Sequence, residues 1–301
     1  MRRLILIIML AGVSKADVIV DVRQAAAQNN FAVADSVIQK YRSGHGVTPE
    51  WLEALSWAAR GALEAKQLTK AEAYAQQTEE LVAAQLKSRK LDAEAHLPIA
   101  LGAAIEVKAQ AMSQRGERGD ALVFLRKELL AYKNTSIRAR IQKNINLIDL
   151  VGKPAPALDE RVFLGPKPPA LASLQGKPVL LFFWAHWCGD CKGQRRELSQ
   201  INKEYAPKGL VLIGPTQRYG YVAGGEDAAP EQELKYIDDV RRKYYLDLID
   251  MPVPVGEDNL KAYGASTTPT IVLIDRHGIV RLYHPGRMTL AELETALREV
   301  V

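Results

Sequence analysis

Cysteine is scarce in this chain, since only two of its 301 residues are cysteine. A zinc site that used both thiols would need two further ligands, and the histidines other than His186 are scattered along the sequence. Lys192 rather than histidine follows Cys191, which excludes the CxxCH pattern of covalent haem attachment. We therefore expect no metal and no other cofactor.

The chain also lacks a strong excess of charge and a long apolar run. It carries 40 basic and 35 acidic side chains, and loss of residues 1–16, which hold three basic residues and no acidic one, leaves a net charge of +2. This balance gives no reason to expect nucleic-acid binding. Beyond the first residues, no stretch is long and apolar enough to span a membrane.

The N-terminus has the layout of a secretory signal. Arg2 and Arg3 precede an apolar stretch at residues 4–13, and small residues follow where a signal peptidase would cut. We expect residues 1–16 to be a cleaved signal peptide and the mature protein to be exported, to a bacterial periplasm or the outer face of the membrane. An uncleaved anchor or a plain hydrophobic N-terminus is the alternative.

Residues 17–150 are rich in Ala, Gln, Glu, Lys and Leu, which predicts an all-α domain of helical hairpins. The later helices are predicted at residues 97–115, 120–132 and 136–150. Thr48-Pro49 predicts the start of one helix, and a capping box at residues 69–72 predicts the start of another.

Trp57, Gly61 and Ala73 in this half have a spacing that weakly resembles a tetratricopeptide repeat. Helical hairpins of this kind commonly bind a protein partner or form a dimer. A plain packed bundle is the alternative.

A proline-punctuated stretch at residues 152–156 marks the predicted domain boundary. Predicted strands and helices alternate over residues 151–301, which indicates an α/β domain with helices on both faces of its sheet. The strands are predicted at residues 162–164, 178–184, 209–213, 270–275 and 279–283, and the helices at residues 192–205, 234–244, 259–263 and 289–300. Gly278 predicts a hairpin turn between the last two strands, and Thr289 and Glu292 predict a capping box at the start of the last helix.

The two cysteines lie where the predicted strand at residues 178–184 is followed by a helix, in the order Cys188-Gly189-Asp190-Cys191. The amide groups and the dipole at a helix N-terminus favour an anion, so this position favours the thiolate of Cys188. Two intervening residues let both sulfurs approach each other on one turn. The pattern predicts a thiol-disulfide enzyme.

The segment Phe-Trp-Ala-His-Trp-Cys-Gly-Asp-Cys-Lys at residues 183–192 resembles the active-site segment of the thioredoxin superfamily, and Thr-Thr-Pro-Thr at residues 267–270 resembles its cis-proline loop. Over residues 150–301 the layout is similar to exported thiol-disulfide oxidoreductases of the TlpA and ResA type. The resemblance implies a thioredoxin-like fold, a mixed central sheet flanked by helices. It also implies disulfide-containing protein substrates and an electron donor, unknown from the sequence, for which a membrane-bound protein is a candidate.

The resemblance also implies roles for individual residues. Cys188 would attack a substrate disulfide, and Cys191 would resolve the mixed disulfide. The peptide bond before Pro269 would be cis, so that an extended substrate segment can bond to the backbone of Thr268. Trp187 would pack beside the substrate.

The chain departs from the thioredoxin pattern at two positions. Asp190 lies where thioredoxin has proline, and its charge opposes the thiolate of Cys188, from which we predict an enzyme that reduces disulfides rather than inserting them. Phe182 takes the place of a buried aspartate, which leaves the proton acceptor for Cys191 unassigned. His186 is a second candidate for tuning the reactive thiol, besides Asp190.

Two other functions compete with this interpretation. A peroxiredoxin-like peroxidase is one, although the Pro-x-x-x-Thr-x-x-Cys context of that family is missing. A helical scaffold protein with a non-catalytic disulfide is the other. Residues 215–230 form a long insertion after a strand, which is predicted either to fold over the active-site edge or to be a plain surface loop.

Overall fold

The computed structural model describes residues 17–300, so the predicted signal peptide lies outside the described residues. The chain divides by packing into two compact units, Met1–Ala111 and Met112–Val301. Within residues 17–300, no helix has both the length and the apolar composition needed to cross a bilayer.

The described part of the first unit is helical. Its helices are α1 (Val18–Ala27), α2 (Phe31–His45), α3 (Pro49–Glu64), α4 (Leu68–Gln85) and α5 (His96–Gln114). Small residues fill the centre of this bundle, among them Ala59, Ala62 and Ala75, all fully buried. A Cβ atom at Gly61 would lie 2.7 Å from the Cβ of Ala26, so the absence of a side chain lets α1 and α3 approach closely.

The structure confirms one of the two predicted helix starts in this unit and corrects the other. Thr48 caps α3, because its Oγ1 accepts a hydrogen bond of 3.2 Å from the amide of Trp51, and Pro49 is the first helical residue. The capping box predicted at Thr69 is wrong. Helix α4 begins earlier, at Leu68, with no side-chain cap, and Leu68 packs against the alanine-rich centre of the bundle.

The second unit begins with two helices and continues as an α/β fold. Its elements are α6 (Arg118–Ala131), α7 (Arg138–Asp149), β1 (Phe163–Leu164), β2 (Val179–Phe183), α8 (Gly189–Tyr205), β3 (Val211–Ile213), α9 (Pro230–Tyr244), β4 (Val253–Pro254), α10 (Glu257–Tyr263), β5 (Thr270–Ile274), β6 (Val280–Pro285) and α11 (Leu290–Leu297). The predicted capping box of the last helix is confirmed at Thr289 and Glu292.

A four-stranded mixed sheet with the order β3-β2-β5-β6 forms the centre of this unit. Strand β2 runs parallel to β3 and antiparallel to β5, which pairs antiparallel with β6. Strands β1 and β4 form a separate two-stranded ladder, and β4 had no counterpart among the predicted strands.

Both faces of the central strand β2 are buried, which explains why its sequence is an unbroken apolar run. Leu180 and Phe182 pack into one hydrophobic cluster with residues of α8, α9 and α11. Leu181 and Phe183 pack on the opposite face, in a cluster with Leu260 of α10. The prediction of a mixed sheet with helices on both faces is confirmed.

The predicted boundary at residue 150 follows the change in composition, whereas the compact unit begins at Met112. Helix α7 lies against α10 within this unit, and a Cβ atom at Gly264 would lie 2.6 Å from the Cα of Lys143. The spatial division therefore assigns α6 and α7 to the α/β unit.

Candidate active site

Cys188 and Cys191 are joined by a disulfide at the N-terminus of α8, with their Cα atoms 5.3 Å apart. Cys188 is the N-cap residue, and its sulfur accepts a hydrogen bond of 3.0 Å from the amide of Cys191. In the reduced enzyme, an amide at this position and the positive end of the helix dipole stabilise a thiolate on Cys188. Cys191 is fully buried and Cys188 is 3% exposed.

The sheet brings a second loop to the same point. Phe183 at the end of β2 lies opposite Thr270 at the start of β5, so the residues after β2 and before β5 meet at one edge of the sheet. The Sγ of Cys188 lies 3.4 Å from the carbonyl oxygen of Thr268. The peptide bond between Thr268 and Pro269 is cis, as the resemblance implies.

The two tryptophans beside the cysteines have different environments. Trp184 is fully buried and its indole N–H donates to the carbonyl of Gly214 at 2.9 Å, which makes it a residue of the core. Trp187 is 50% exposed beside Cys188, and its ring packs edge-on against Tyr219 at 5.6 Å. Trp187 is therefore the tryptophan that a substrate can contact.

Comparison with known proteins identifies the family. A family model for a thioredoxin-like domain matches residues 168–301. The thiol:disulfide interchange protein DsbE of Pseudomonas fluorescens is 33% identical over 137 residues, which are 46% of this chain and 67% of that protein. The chain belongs to the thioredoxin superfamily. It is a thiol-disulfide oxidoreductase, a class whose substrates are disulfide-containing proteins.

Two further proteins similar to this chain come from Bacillus subtilis and Streptococcus pneumoniae. The thioredoxin-like protein YneN of Bacillus subtilis is 29% identical over 149 residues, which are 48% of this chain and 78% of that protein. The exposed lipoprotein thioredoxin Etrx1 of Streptococcus pneumoniae is similar in structure, with 28% identity and a TM-score of 0.35, over 44% of this chain and 91% of that one.

His186 was considered as a charged neighbour of the reactive thiol, but the structure places it in a buried environment that favours the neutral ring. Both His186 and Glu233 of α9 are 1% exposed, and His186 Nε2 lies 3.2 Å from Glu233 Oε1. Three tyrosine rings surround the imidazole edge-on, with centroids 5.3 to 5.5 Å away, namely Tyr219, Tyr221 and Tyr236. Burial lowers the pKa of His186 below 6.5, and the charge of Lys192 lowers it further, against an opposing effect of Glu233.

Glu233 also anchors the insertion at residues 215–230. Its two carboxylate oxygens accept hydrogen bonds from the backbone amides of Tyr219 and Gly220. Because Tyr219 packs on Trp187, the insertion reaches the edge of the active site. Sequence reasoning missed Glu233, since an acidic residue in the first turn of a helix is typical of an exposed dipole partner. No signal in the sequence marks it as buried.

The two departures from the thioredoxin pattern, Asp190 and Phe182, differ in burial. Asp190 is exposed in the first turn of α8. Phe182 is fully buried and packs edge-on against Tyr245, whose hydroxyl is buried without a hydrogen-bond partner among the described residues. Burial raises the pKa of Tyr245.

A buried amide lies one helical turn after Cys191. Gln194 donates to the carbonyl of Met288 at 2.9 Å and accepts from its amide at 2.8 Å, so both ends of the side chain are occupied. The side-chain amide of Gln194 therefore cannot accept a proton from Cys191 near neutral pH. Among residues 17–300, no group of three or more His, Cys, Asp or Glu side chains is arranged to hold a metal ion.

Proposed function

We propose that this protein is an exported enzyme that reduces disulfide bonds in proteins through Cys188 and Cys191. The observation that carries the proposal is the position of Cys188, which caps α8 with its sulfur beside the carbonyl of Thr268. A substrate disulfide that binds along this loop would be presented to the attacking sulfur.

The exchange runs in two steps that conserve electrons and protons. The Cys188 thiolate attacks one substrate sulfur, which forms a mixed disulfide and expels the other sulfur as a thiolate that takes a proton from water. Cys191 loses its proton to water and attacks the sulfur of Cys188, and the second substrate sulfur leaves as a thiolate that takes a proton from water. The substrate gains two electrons and the enzyme ends with the disulfide seen here.

The direction of the reaction is inferred from Asp190. Its exposed carboxylate lies between the two cysteines, where negative charge disfavours the thiolate of the reduced enzyme. A reduced form that is less stabilised gives up its electrons more readily. His186 is held neutral by burial and so does not offset this charge.

Insulin reduction with dithiothreitol as the electron donor tests the activity. Wild-type enzyme should accelerate the reduction, and Cys188→Ser should not, because it lacks the attacking sulfur. Cys191→Ser should form a mixed disulfide with insulin that it cannot resolve. Equal rates with wild type and Cys188→Ser would contradict the proposal.

Export and partners complete the proposal. The leader at residues 1–16 supports export, and Edman sequencing of the mature protein from the cell envelope should begin near Asp17. Regeneration of the dithiol requires a donor of two electrons, for which we propose a membrane-bound dithiol protein. The all-α domain at residues 17–150 would bind a protein partner or a second copy of the chain, ahead of the thioredoxin-like domain at residues 151–301.

A further inference from the structure

A cleft of about 270 Å³ opens beside the reactive cysteine, within the unit that begins at Met112. Its walls come from the start of α7, the active-site segment, α10 and the loop before β5. Trp187 and Thr268, which both lie next to Cys188, line the cleft. Arg138, the first residue of α7, lines it as well. We call this space the substrate cleft.

Two residues that line the substrate cleft each have a buried polar atom without a partner. The Nη1 of Arg138 and the Oγ1 of Thr268 are both shielded from solvent, and neither has a hydrogen-bond partner among the described residues. A buried polar group without a partner is destabilising, and more so when it is charged. A bound ligand that supplies acceptors would remove this cost when the two side chains turn toward it.

The charge of the substrate cleft favours an anion beside Arg138. Lys261 and Glu257 also line it, and they pair with each other at 2.7 Å, so their charges largely cancel. Arg138 forms no ion pair with the described residues. Helix α7 has no acidic residue in its first turn and no side-chain cap, so the positive end of its dipole adds to the charge of Arg138.

Arg138 is held on a fixed wall rather than on a mobile loop. Its helix packs on α10 so closely that a side chain at Gly264 would overlap the backbone of Lys143. A guanidinium at a fixed position offers a planar pair of donors, which matches the two oxygens of a carboxylate.

We infer that the substrate cleft selects polypeptide disulfides that carry a carboxylate side chain a few residues from the reactive cysteine, and that Arg138 binds this carboxylate. The inference rests on the proposed exchange at Cys188 and adds its specificity. Thr268 binds the substrate segment near the sulfur, and Trp187 packs against that segment. Arg138 binds the carboxylate of the substrate. The exchange itself is unchanged, so electrons and protons balance as described above.

Short peptide disulfides provide the test. Each peptide has blocked ends, one cysteine joined to the neutral thiol 2-mercaptoethanol, and glutamine at the three positions on either side. A series replaces one glutamine at a time with glutamate. The second-order rate constant for reaction with the reduced full-length enzyme is measured by chromatography of the released peptide. Wild type should prefer glutamate at one or two positions by about tenfold.

Variants assign the preference to its source. In Arg138→Gln the ratio of the rate with a glutamate peptide to the rate with the all-glutamine peptide should fall to about one, and Arg138→Lys should retain part of this preference. Lys133→Gln removes the same charge from an exposed position outside the substrate cleft and should behave as wild type. Exchange with oxidised dithiothreitol, which has no carboxylate for Arg138 to bind, reports that each variant is folded.

The outcomes separate this inference from the proposed function. A wild-type enzyme that reduces all peptides without a glutamate preference, or a preference that persists in Arg138→Gln, overturns the inference and leaves the reductase proposal intact. Failure to react with any peptide disulfide overturns both.

Discussion

The two charged or titratable neighbours of the cysteines differ in burial, and so in what they can do to the sulfur. Asp190 is exposed, and its carboxylate acts on Cys188 through charge that water and salt screen. His186 is buried against Glu233, and its neutral ring acts through packing and hydrogen bonds. We therefore expect Asp190 to affect the reduction potential of the cysteine pair. We expect His186 to affect how the stability of the folded protein depends on pH.

Removal of the Asp190 charge should make the enzyme less reducing. In Asp190→Asn the thiolate of the reduced form loses an unfavourable neighbour, so the reduced form is stabilised and the midpoint potential becomes more positive. An exposed charge of this kind is worth up to about 1 kcal/mol, which corresponds to a shift of roughly 10 to 20 mV. Equilibration with dithiothreitol buffers of known potential measures the shift.

Glu204→Gln is the matched control for this prediction. It removes one negative charge from the opposite end of α8, where Glu204 is exposed and paired with Lys208. Its potential should equal that of wild type. A fall in the potential of Asp190→Asn, or the same shift in both variants, would show that the direction of the reaction is not set by Asp190.

His186 should make the folded protein less stable in mild acid. Burial lowers its pKa from 6.5, so below that pH the unfolded chain binds a proton that the folded protein does not. The free energy of unfolding therefore decreases as the pH falls through 6.5. His186→Phe cannot titrate, and the loss of melting temperature between pH 7 and pH 5 should be smaller in this variant by about 2 to 4 °C.

His96 supplies a control of opposite sign. Burial alone would lower its pKa, but a hydrogen bond of 2.8 Å with Glu53 and the charges of Glu50 and Glu94 raise it above 6.5. Its stabilising effect is therefore complete below pH 6.5 and is lost as the pH rises through the folded pKa. Relative to wild type, His96→Gln should lose more stability at pH 5 than at pH 7 in calorimetry. Parallel changes in both variants would refute the assignment.

At the scale of the helix, substitution of two threonines tests which of them caps a helix N-terminus. Thr48→Ala removes the acceptor for the amide of Trp51 and should cost about 1 kcal/mol in the free energy of unfolding. Thr69→Ala should cost little, because α4 starts before it without a side-chain cap. Urea unfolding compares the two in the same unit. Similar losses would mean that Thr69 stabilises the helix start after all.

At the scale of the whole molecule, local patterns predicted the fold better than they predicted the site. The apolar run of β2, the hairpin around Gly278 and the Thr289 capping box depend on neighbours in sequence, and the structure confirms them. The capping box predicted at Thr69 was wrong because Leu68 packs against the bundle, so α4 begins one residue before Thr69.

The residues that sequence reasoning missed depend on distant neighbours. Glu233 is the buried partner of His186, although the two residues are 47 positions apart along the chain. They meet only because the insertion folds back onto His186. Arg138 lines the same cleft as Trp187 and Thr268 only because α7 packs on α10. Neither residue has a local pattern that distinguishes it from a surface charge.

The packing of α7 leads to a prediction about where the chain can be divided. A fragment of residues 112–301 keeps α7 on α10, whereas a fragment of residues 151–301 exposes the α10 surface around Gly264. The shorter fragment should lose on the order of 3 kcal/mol in the free energy of unfolding, because the apolar surface that α7 covers is returned to water. Urea unfolding of both fragments, followed by tryptophan fluorescence, measures the difference.

The same two fragments also separate stability from specificity. Both contain Cys188, Cys191 and Thr268, so both should exchange with dithiothreitol while they are folded. Only the longer fragment contains Arg138, so only it should prefer peptides with glutamate. If the shorter fragment were as stable as the longer one and kept the preference, α7 would be dispensable to the fold and the carboxylate would be bound elsewhere. A helix that composition assigns to the N-terminal half would then have no role at the active site.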